Sequence, residues 1–266
     1  MPPPASPPPV LTIAGSDCSG GAGIQADLKA ISAAGGYALT ALTSVVSETP
    51  GLVSQIRLLD AEFIADQLRV LLAAFPVRAA KTGMLGGAEQ IRAVAGTWRE
   101  IGQGVPLVVD PVMVATSGGR LLKDDAVSTL CEELLPLATV ITPNMDEAEV
   151  LWGRPVRTRE DMTACASDLS RQFHTAVLVK GGHLIGDAAA DVLCANNEIT
   201  WHESARTPGV HTHGTGCTYS ASIAARLARG MPLVEAVADA KKYVSAAISQ
   251  HFAWTDSLHA LNHFPE

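Results

Sequence analysis

Short runs of β-formers that end in Gly-rich or polar loops alternate with helical patterns along nearly the whole chain. That alternation limits the fold more than any other feature. Residues 10–14 read as a buried strand. Ile24, Leu28 and Ile31 then fall at i, i+4 and i+7, the apolar stripe of a helix that stops at Gly35-Gly36. Residues 37–46 return to strand, and Asp60 is predicted to cap a helix carrying Phe63, Leu68, Leu71 and Leu72. Strands are predicted at 79–81, 106–110, 140–142 and 176–180, with helices over 88–100, 124–135 and 161–173. Residues 191–194 and 198–201, on either side of Asn196-Asn197, read as a hairpin, and helices near 216–227 and 232–250 follow. Strands alternating with helices imply an α/β fold, a mostly parallel sheet covered on both faces. Polar, glycine-bearing strand ends place a ligand site at the carboxyl edge of that sheet.

Composition agrees with one large domain. Apolar residues make up 47% of the 266 and charged residues 17%, enough to build a sizeable core and to exclude disorder for most of the chain. No charge run or linker divides residues 10–266, so a single domain is expected there. Lys and Arg number 19 against 27 Asp and Glu, a net charge of −8 without a basic cluster, which argues against a nucleic-acid partner. Five cysteines lack any C-x-x-C spacing, so a disulfide framework or zinc ribbon is not expected, and a reducing compartment is. Residues 1–9 hold six of the 16 prolines with no basic or apolar signal-peptide region, and read as a disordered Pro-rich leader. Charges interrupt every Ala-rich stretch well short of a membrane span. A cytoplasmic protein with no membrane partner is expected.

Three segments carry chemistry. Residues 15–23, Gly-Ser-Asp-Cys-Ser-Gly-Gly-Ala-Gly, lie between the first strand and the first helix. They begin like a P-loop but lack its lysine, and their partial dinucleotide fingerprint starts six residues past the strand. A glycine-rich turn explains the glycines but leaves Asp17 and Asp27 unexplained. Residues 211–218, His-Thr-His-Gly-Thr-Gly-Cys-Thr, open a long helix, where Gly214 and Gly216 let backbone N–H groups approach an anion. Such a hole stabilises charge on a transferring phosphoryl group. Cys217 sits in the first helical turn, where the helix dipole favours thiolate and would let it act as a base. A cysteine that only packs the helix is the ordinary alternative, and the two glycines favour the chemical reading. Third come the strand-end residues Lys81, Asp110, Asn144, Glu147 and Lys180. Two carboxylates and an amide there would suit Mg²⁺ held largely through waters, with a lysine to neutralise nucleotide phosphate.

Taken in order, residues 14–29, Lys81-Thr-Gly-Met-Leu85, Asp110-Pro-Val-Met113, Thr142-Pro-Asn144 with Glu147, Lys180-Gly-Gly-His183 and 213–218 resemble the bacterial hydroxymethylpyrimidine/phosphomethylpyrimidine kinases of thiamine synthesis, in the ribokinase-like superfamily. The resemblance spans about 10–250, with a faint echo in the His-rich stretch near 259–263. It implies a three-layer α/β/α doubly wound fold, a homodimer, and use of ATP and Mg²⁺. The implied reaction phosphorylates 4-amino-5-hydroxymethyl-2-methylpyrimidine and then its monophosphate. By resemblance, Gly15, Asp27, Met84 and Val112 contact the pyrimidine. Asp110 and Glu147 serve Mg²⁺, and Asn144, Lys180, Thr215 and Gly216 meet ATP and its phosphates. Gly214, Gly216 and Cys217 form the anion hole, Cys217 standing where many ribokinase relatives carry an aspartate base.

One segment departs from the family. Where it commonly has Gln-Asn-Thr, with the Gln bonding the pyrimidine, this chain reads Val46-Ser-Glu-Thr-Pro-Gly51, one residue shorter. Counting from Tyr37 puts Glu48 at the Gln position; counting back from Gly51 puts Ser47 there. Glu48 is preferred, because a carboxylate accepts from the pyrimidine amino group as an amide oxygen does. A solvated loop glutamate is the alternative. The change keeps two other functions in view: a pyridoxal or pyridoxine kinase on the same scaffold, and a non-catalytic vitamer-binding protein.

Overall fold

The computed structural model describes residues 6–113, 124–182, 184, 188–210, 212–255 and 258–266. Of the Pro-rich leader, residues 1–5 lie outside these; Pro9 already begins a strand, and the Pro8 carbonyl accepts from the Tyr37 N–H. The chain runs β1 (Pro9–Asp17), α1 (Gly23–Ala33), β2 (Tyr37–Thr49), β3 (Leu52–Leu58), α2 (Ala61–Ala74) and β4 (Ala79–Thr82). It continues with α3 (Ala88–Ile101), β5 (Leu107–Val109), α4 (Asp124–Thr129), β6 (Val140–Ile141), α5 (Met145–Trp152) and α6 (Arg159–Phe173). After these come β7 (Ala176–Gly181), β8 (Ala188–Ala195), β9 (Glu198–Ala205), α7 (Thr215–Ala228), α8 (Leu233–Ser249), β10 (Phe252–Thr255) and β11 (Leu258–Ala260).

Nine strands form one sheet in the order β3-β2-β1-β4-β5-β6-β7-β8-β9, parallel from β2 through β7 and antiparallel at both edges. Successive residues of a strand point to opposite faces, and here both faces are apolar. Leu11, Ile13, Val109 and Val177 meet Ile64, Leu68, Val94, Trp98 and Met162 from the α2–α6 side. Val10, Val108, Val140 and Leu178 meet Ile31, Ile223, Val237 and Val244 from α1, α7 and α8. The fold is therefore the expected three-layer, doubly wound, ribokinase-like α/β/α arrangement. Strand β1 sits between β2 and β4, so the order reverses beside it and opens a crevice at the carboxyl ends of β1 and β4.

Several local expectations need correction. Asp60 stands at the N-cap of α2 but its side chain makes no capping bond. The helix expected through 135 is α-helical only to Thr129, then passes through a π turn and a short 3-10 turn. Pro136 has no N–H to continue the ladder. Strand β3 was not foreseen. Leu52, Ile56 and Leu58 are exposed without alternation, and the segment is ordered by antiparallel pairing with β2 rather than by burial. Strands β10 and β11, a separate small antiparallel pair, were likewise missed.

Candidate active site

The two glycine-rich segments, linked by His213 and Asp17 196 residues apart in sequence, touch at the crevice. Gly214 is the N-cap of α7 with φ 79°, and a methyl group there would stand 1.8 Å from the Gly21 carbonyl oxygen. Gly23 opens α1 at φ 55°, and a methyl group there would stand 2.4 Å from the Gly15 carbonyl oxygen. Glycine is thus required at both positions for conformation and for close approach. Asp17 holds the first loop closed: one carboxylate oxygen accepts from the N–H groups of Gly21 (3.0 Å) and Ala22 (2.7 Å), the other from Ser19 N–H (2.7 Å). The same carboxylate meets His213 Nε2 at 3.1 Å, tying the first loop to the second. Burial works against its charge, but the bonds from His213, Ser19 and Ala22 hold the Asp17 carboxyl well below the usual range. Neither Asp17 nor His213 had been assigned a role. The sequence signal was the aspartate that a simple glycine turn could not explain.

At the α7 end, the helix start carries no side-chain cap, so the N–H groups of its first turn are left for a ligand. A methyl group at Gly216 would lie 3.1 Å from Lys180 Nζ and 3.5 Å from Asp110 Oδ2, which places both beside this turn. Lys180 Nζ donates to Asp110 Oδ1 at 2.8 Å, Thr142 Oγ1 donates to the same oxygen at 3.1 Å, and Ser220 Oγ donates to Oδ2 at 3.2 Å. Burial would raise the Asp110 carboxyl, but Lys180 and Lys81 outweigh it and hold it below its ordinary value. Asn144 caps α5 in a reciprocal capping box with Glu147, and pairs with Lys180 across a bridge that extends β6 and β7. Glu147 is pushed up to about 7 by burial, with Asp110 adding to the effect against the pull of Lys180. Thr215 lies in the turn itself, its hydroxyl 3.0 Å from that of Thr212. His183, the last residue of the Lys180 motif, and His211 lie outside the described residues.

Cys217 is partly exposed to the crevice, within reach of the fields of Lys81, Asp27 and Asp110. Burial pushes its thiol up to about 11 although Lys81 pulls the other way, so the helix dipole does not produce the expected thiolate. The first-turn position is right and the resting charge state is corrected. Asp27 also needs correction as a direct pyrimidine contact. It lies on the buried face of α1 at 0% exposure, with both oxygens bonded to Lys81 Nζ (3.0 and 2.9 Å) and one to Thr12. Burial alone would discharge Lys81, yet Asp27 directly against it holds the ammonium above its ordinary range. The pair is a buried counter-ion beneath the site.

At the other end, Gly15 lies against Met84: a methyl group on Gly15 would stand 2.8 Å from Met84 Cε and 2.5 Å from Ser44 Oγ. Ser44 Oγ is buried with no hydrogen-bond partner among the described residues, a polar group that the sequence did not single out. Val112 lines a small cavity with Thr82, Gly83, Asp110 and the core side chains Leu85, Ile91 and Leu130. A register break in the β2–β3 pairing between Ser47 and Glu48 leaves Ser47 exposed and Glu48 half-buried, with Oε2 3.9 Å from His213 Nε2. Burial, and then the charge of Asp17, raises the Glu48 carboxyl above its usual value. Among the described residues, Asp17, Glu48 and His213 are the one His/Cys/Asp/Glu trio close enough to share a metal ion. Asp17 already accepts three backbone N–H bonds there, and no metal is assigned to it.

The comparisons agree with this geometry. A hydroxymethylpyrimidine/phosphomethylpyrimidine kinase of Rhizobium meliloti is 46% identical over 240 residues, 90% of each chain. An ADP complex of Bacillus subtilis pyridoxal kinase superposes with a TM-score of 0.89 at 37% identity, covering 97% of this chain and 98% of that one. A phosphomethylpyrimidine kinase from Clostridium difficile superposes with a TM-score of 0.80 at 38% identity, covering 91% and 99%. Two glycine loops in contact, lysines and carboxylates beside a free helix start, and a match to the phosphomethylpyrimidine kinase family model over residues 17–262 lead to one conclusion: the chain belongs to the phosphomethylpyrimidine kinase family.

Proposed function

We propose that this kinase transfers the γ-phosphoryl group of ATP to the hydroxymethyl oxygen of 4-amino-5-hydroxymethyl-2-methylpyrimidine, and then phosphorylates the monophosphate. The observation that carries this reading is the uncapped first turn of α7, pressed against the Gly15–Gly23 loop with Lys180 beside it. A phosphoryl group on that turn would face the N–H groups of Thr215, Gly216 and Cys217, which stabilise charge spreading over its oxygens. Gly15, Met84 and Val112 would seat the ring, and Glu48 would accept from its amino group. During transfer the hydroxymethyl oxygen bonds phosphorus as the bond to the β-phosphate oxygen breaks, and the hydroxyl proton leaves. Cys217 is the acceptor proposed for that proton, through the thiolate form that its pKa makes a minor species at neutral pH.

Asp110 and Glu147 fit Mg²⁺. They are hard oxygen donors, and a single lysine leaves Glu147 raised to about 7 by burial and its neighbour's charge. They would hold the ion largely through waters, where it would neutralise nucleotide phosphate. Asn144 and Lys180 would meet the same phosphates. A homodimer working in the cytoplasm completes the reading; no helix among the described residues is long and apolar enough to cross a membrane.

Incubation with ATP, Mg²⁺ and the aminopyrimidine, followed by mass spectrometry, tests the reaction. The monophosphate should appear first and the diphosphate should replace it; accumulation of monophosphate alone would remove the second step. A second reading, pyridoxal phosphorylation, is kept by the loss of the N–H donor that a glutamine would offer a ring nitrogen and by the TM-score of 0.89 to a pyridoxal kinase.

A further inference from the structure

An anion-binding helix start poses a structural problem. A side chain that capped it would occupy the N–H groups meant for the ligand, so the turn must be fixed from elsewhere. In α7 no side chain caps the helix, and Gly214 and Gly216 give the turn little stiffness of their own. The first glycine loop holds one face of the turn through Asp17 and Gly21, and further fixing comes from residues 258–263. On one side of the turn, the backbone of His213 pairs in parallel with Ala260 of β11. On the other, Thr218 Oγ1 lies 3.0 Å from His263 Nε2, and this contact is buried. Residues 258–263 therefore bracket the turn that spans 214–217.

The bracket is itself well anchored. Asn262 N–H donates to the Ala247 carbonyl, Tyr243 Oη donates to the His263 carbonyl at 2.8 Å, and Leu261 is 2% exposed. His263 is 4% exposed and feels the charge of Lys29, whose ammonium donates to the Gly20 carbonyl in the first glycine loop. Burial, and then the Lys29 charge, lowers the His263 pKa to about 4, against a backbone bond to Leu261. The ring is thus neutral at working pH, and Nε2 and the Thr218 hydroxyl share one hydrogen bond whose direction follows the tautomer.

We propose that residues 258–263 clamp the first turn of α7, and that His263, acting through Thr218, is the positioning residue that sets the geometry of the anion-binding N–H groups. His263 touches neither substrate nor nucleotide in this account. The His-rich stretch near 259–263 thereby has a structural role in the site.

The inference rests on the proposed phosphoryl transfer, so its test includes a readout independent of turnover. Hydrogen exchange followed by peptide mass spectrometry is measured on the unliganded full chain for His263→Ala, His263→Gln and Thr218→Val. Faster exchange confined to the start of α7 is expected in His263→Ala and Thr218→Val, and native exchange in His263→Gln, whose amide can replace Nε2. With ATP and the aminopyrimidine, kcat should fall about tenfold in His263→Ala and Thr218→Val while KM stays within about twofold, because a displaced N–H weakens the transition state. The double variant should be no slower than the slower single variant, since both break one contact. Native exchange at the α7 start, exchange raised equally through the whole sheet, or kcat losses that multiply in the double variant would each overturn the proposal. Localised exchange changes in a chain with no turnover would sustain the clamp and contradict the kinase reading instead.

Discussion

Cys217 shows how two residue-scale effects compete. A helix start lowers a thiol pKa and a dry crevice raises it, and with the thiol at about 11 the crevice wins. Sequence position revealed the first effect. The second is chiefly burial, to which Asp27 and Asp110 add and which Lys81 opposes; these groups are gathered from other elements, and so it was not legible. Cys217→Ala should lower kcat by about 10²-fold with little change in KM, the loss expected for a proton acceptor active only in the transition state. Steady-state kinetics decide it, and near-native turnover would leave the N–H turn as the main catalyst. Glu147 gives a second prediction. Its folded pKa, about 7, lies above the ordinary 4.5, so the stability from its buried neutral form is complete below about 4.5 and is lost as pH rises through 7. Glu147→Gln, which keeps an acceptor for the capping box, should therefore gain in melting temperature over the native chain between pH 5 and pH 8. A difference that stays flat across that range would refute the assignment.

At the scale of elements, strands β1, β2 and β4 to β7 and helices α1, α2, α3 and α6 were readable because each has an apolar run or periodicity of its own. What escaped were segments whose order is borrowed. Strand β3 exists through β2, and β10 and β11 through each other. The same distinction separates the loops. Their glycines were visible in sequence, whereas the contact that makes them one site, Gly214 against the Gly21 carbonyl, joins residues far apart in the chain. Gly214→Ala should force the two loops apart, because φ 79° and a 1.8 Å approach both exclude a β-carbon. A left-handed alanine alone costs about 1–2 kcal/mol, and the clash adds to it. Turnover should fall at least about 10²-fold, the scale of a catalytic group misplaced by about 1 Å. A soluble, folded Gly214→Ala enzyme with native kcat would show that the loop contact is dispensable.

For the whole molecule, the doubly wound sheet puts the reversal of strand order where β1 and β4 end, and every expected site residue collects at that carboxyl edge or just beneath it. The net charge of −8 is compatible with a phosphate ligand, since backbone N–H groups and buried lysines, rather than a basic surface, would hold it. Family membership and fold leave the choice of ring to the end of the crevice lined by Gly15, Ser44, Glu48 and Met84. In the proposed reading Glu48 stands there where the family carries an amide, and burial with Asp17 raises its pKa. Glu48 can still accept from an exocyclic amino group, which the aminopyrimidine has and pyridoxal lacks. The most direct measurement is kcat/KM for the two substrates in the same coupled ADP assay at saturating ATP and Mg²⁺. The aminopyrimidine should exceed pyridoxal by at least about tenfold, as expected when a site pairs a polar group that only one substrate carries. A higher kcat/KM for pyridoxal would contradict the account.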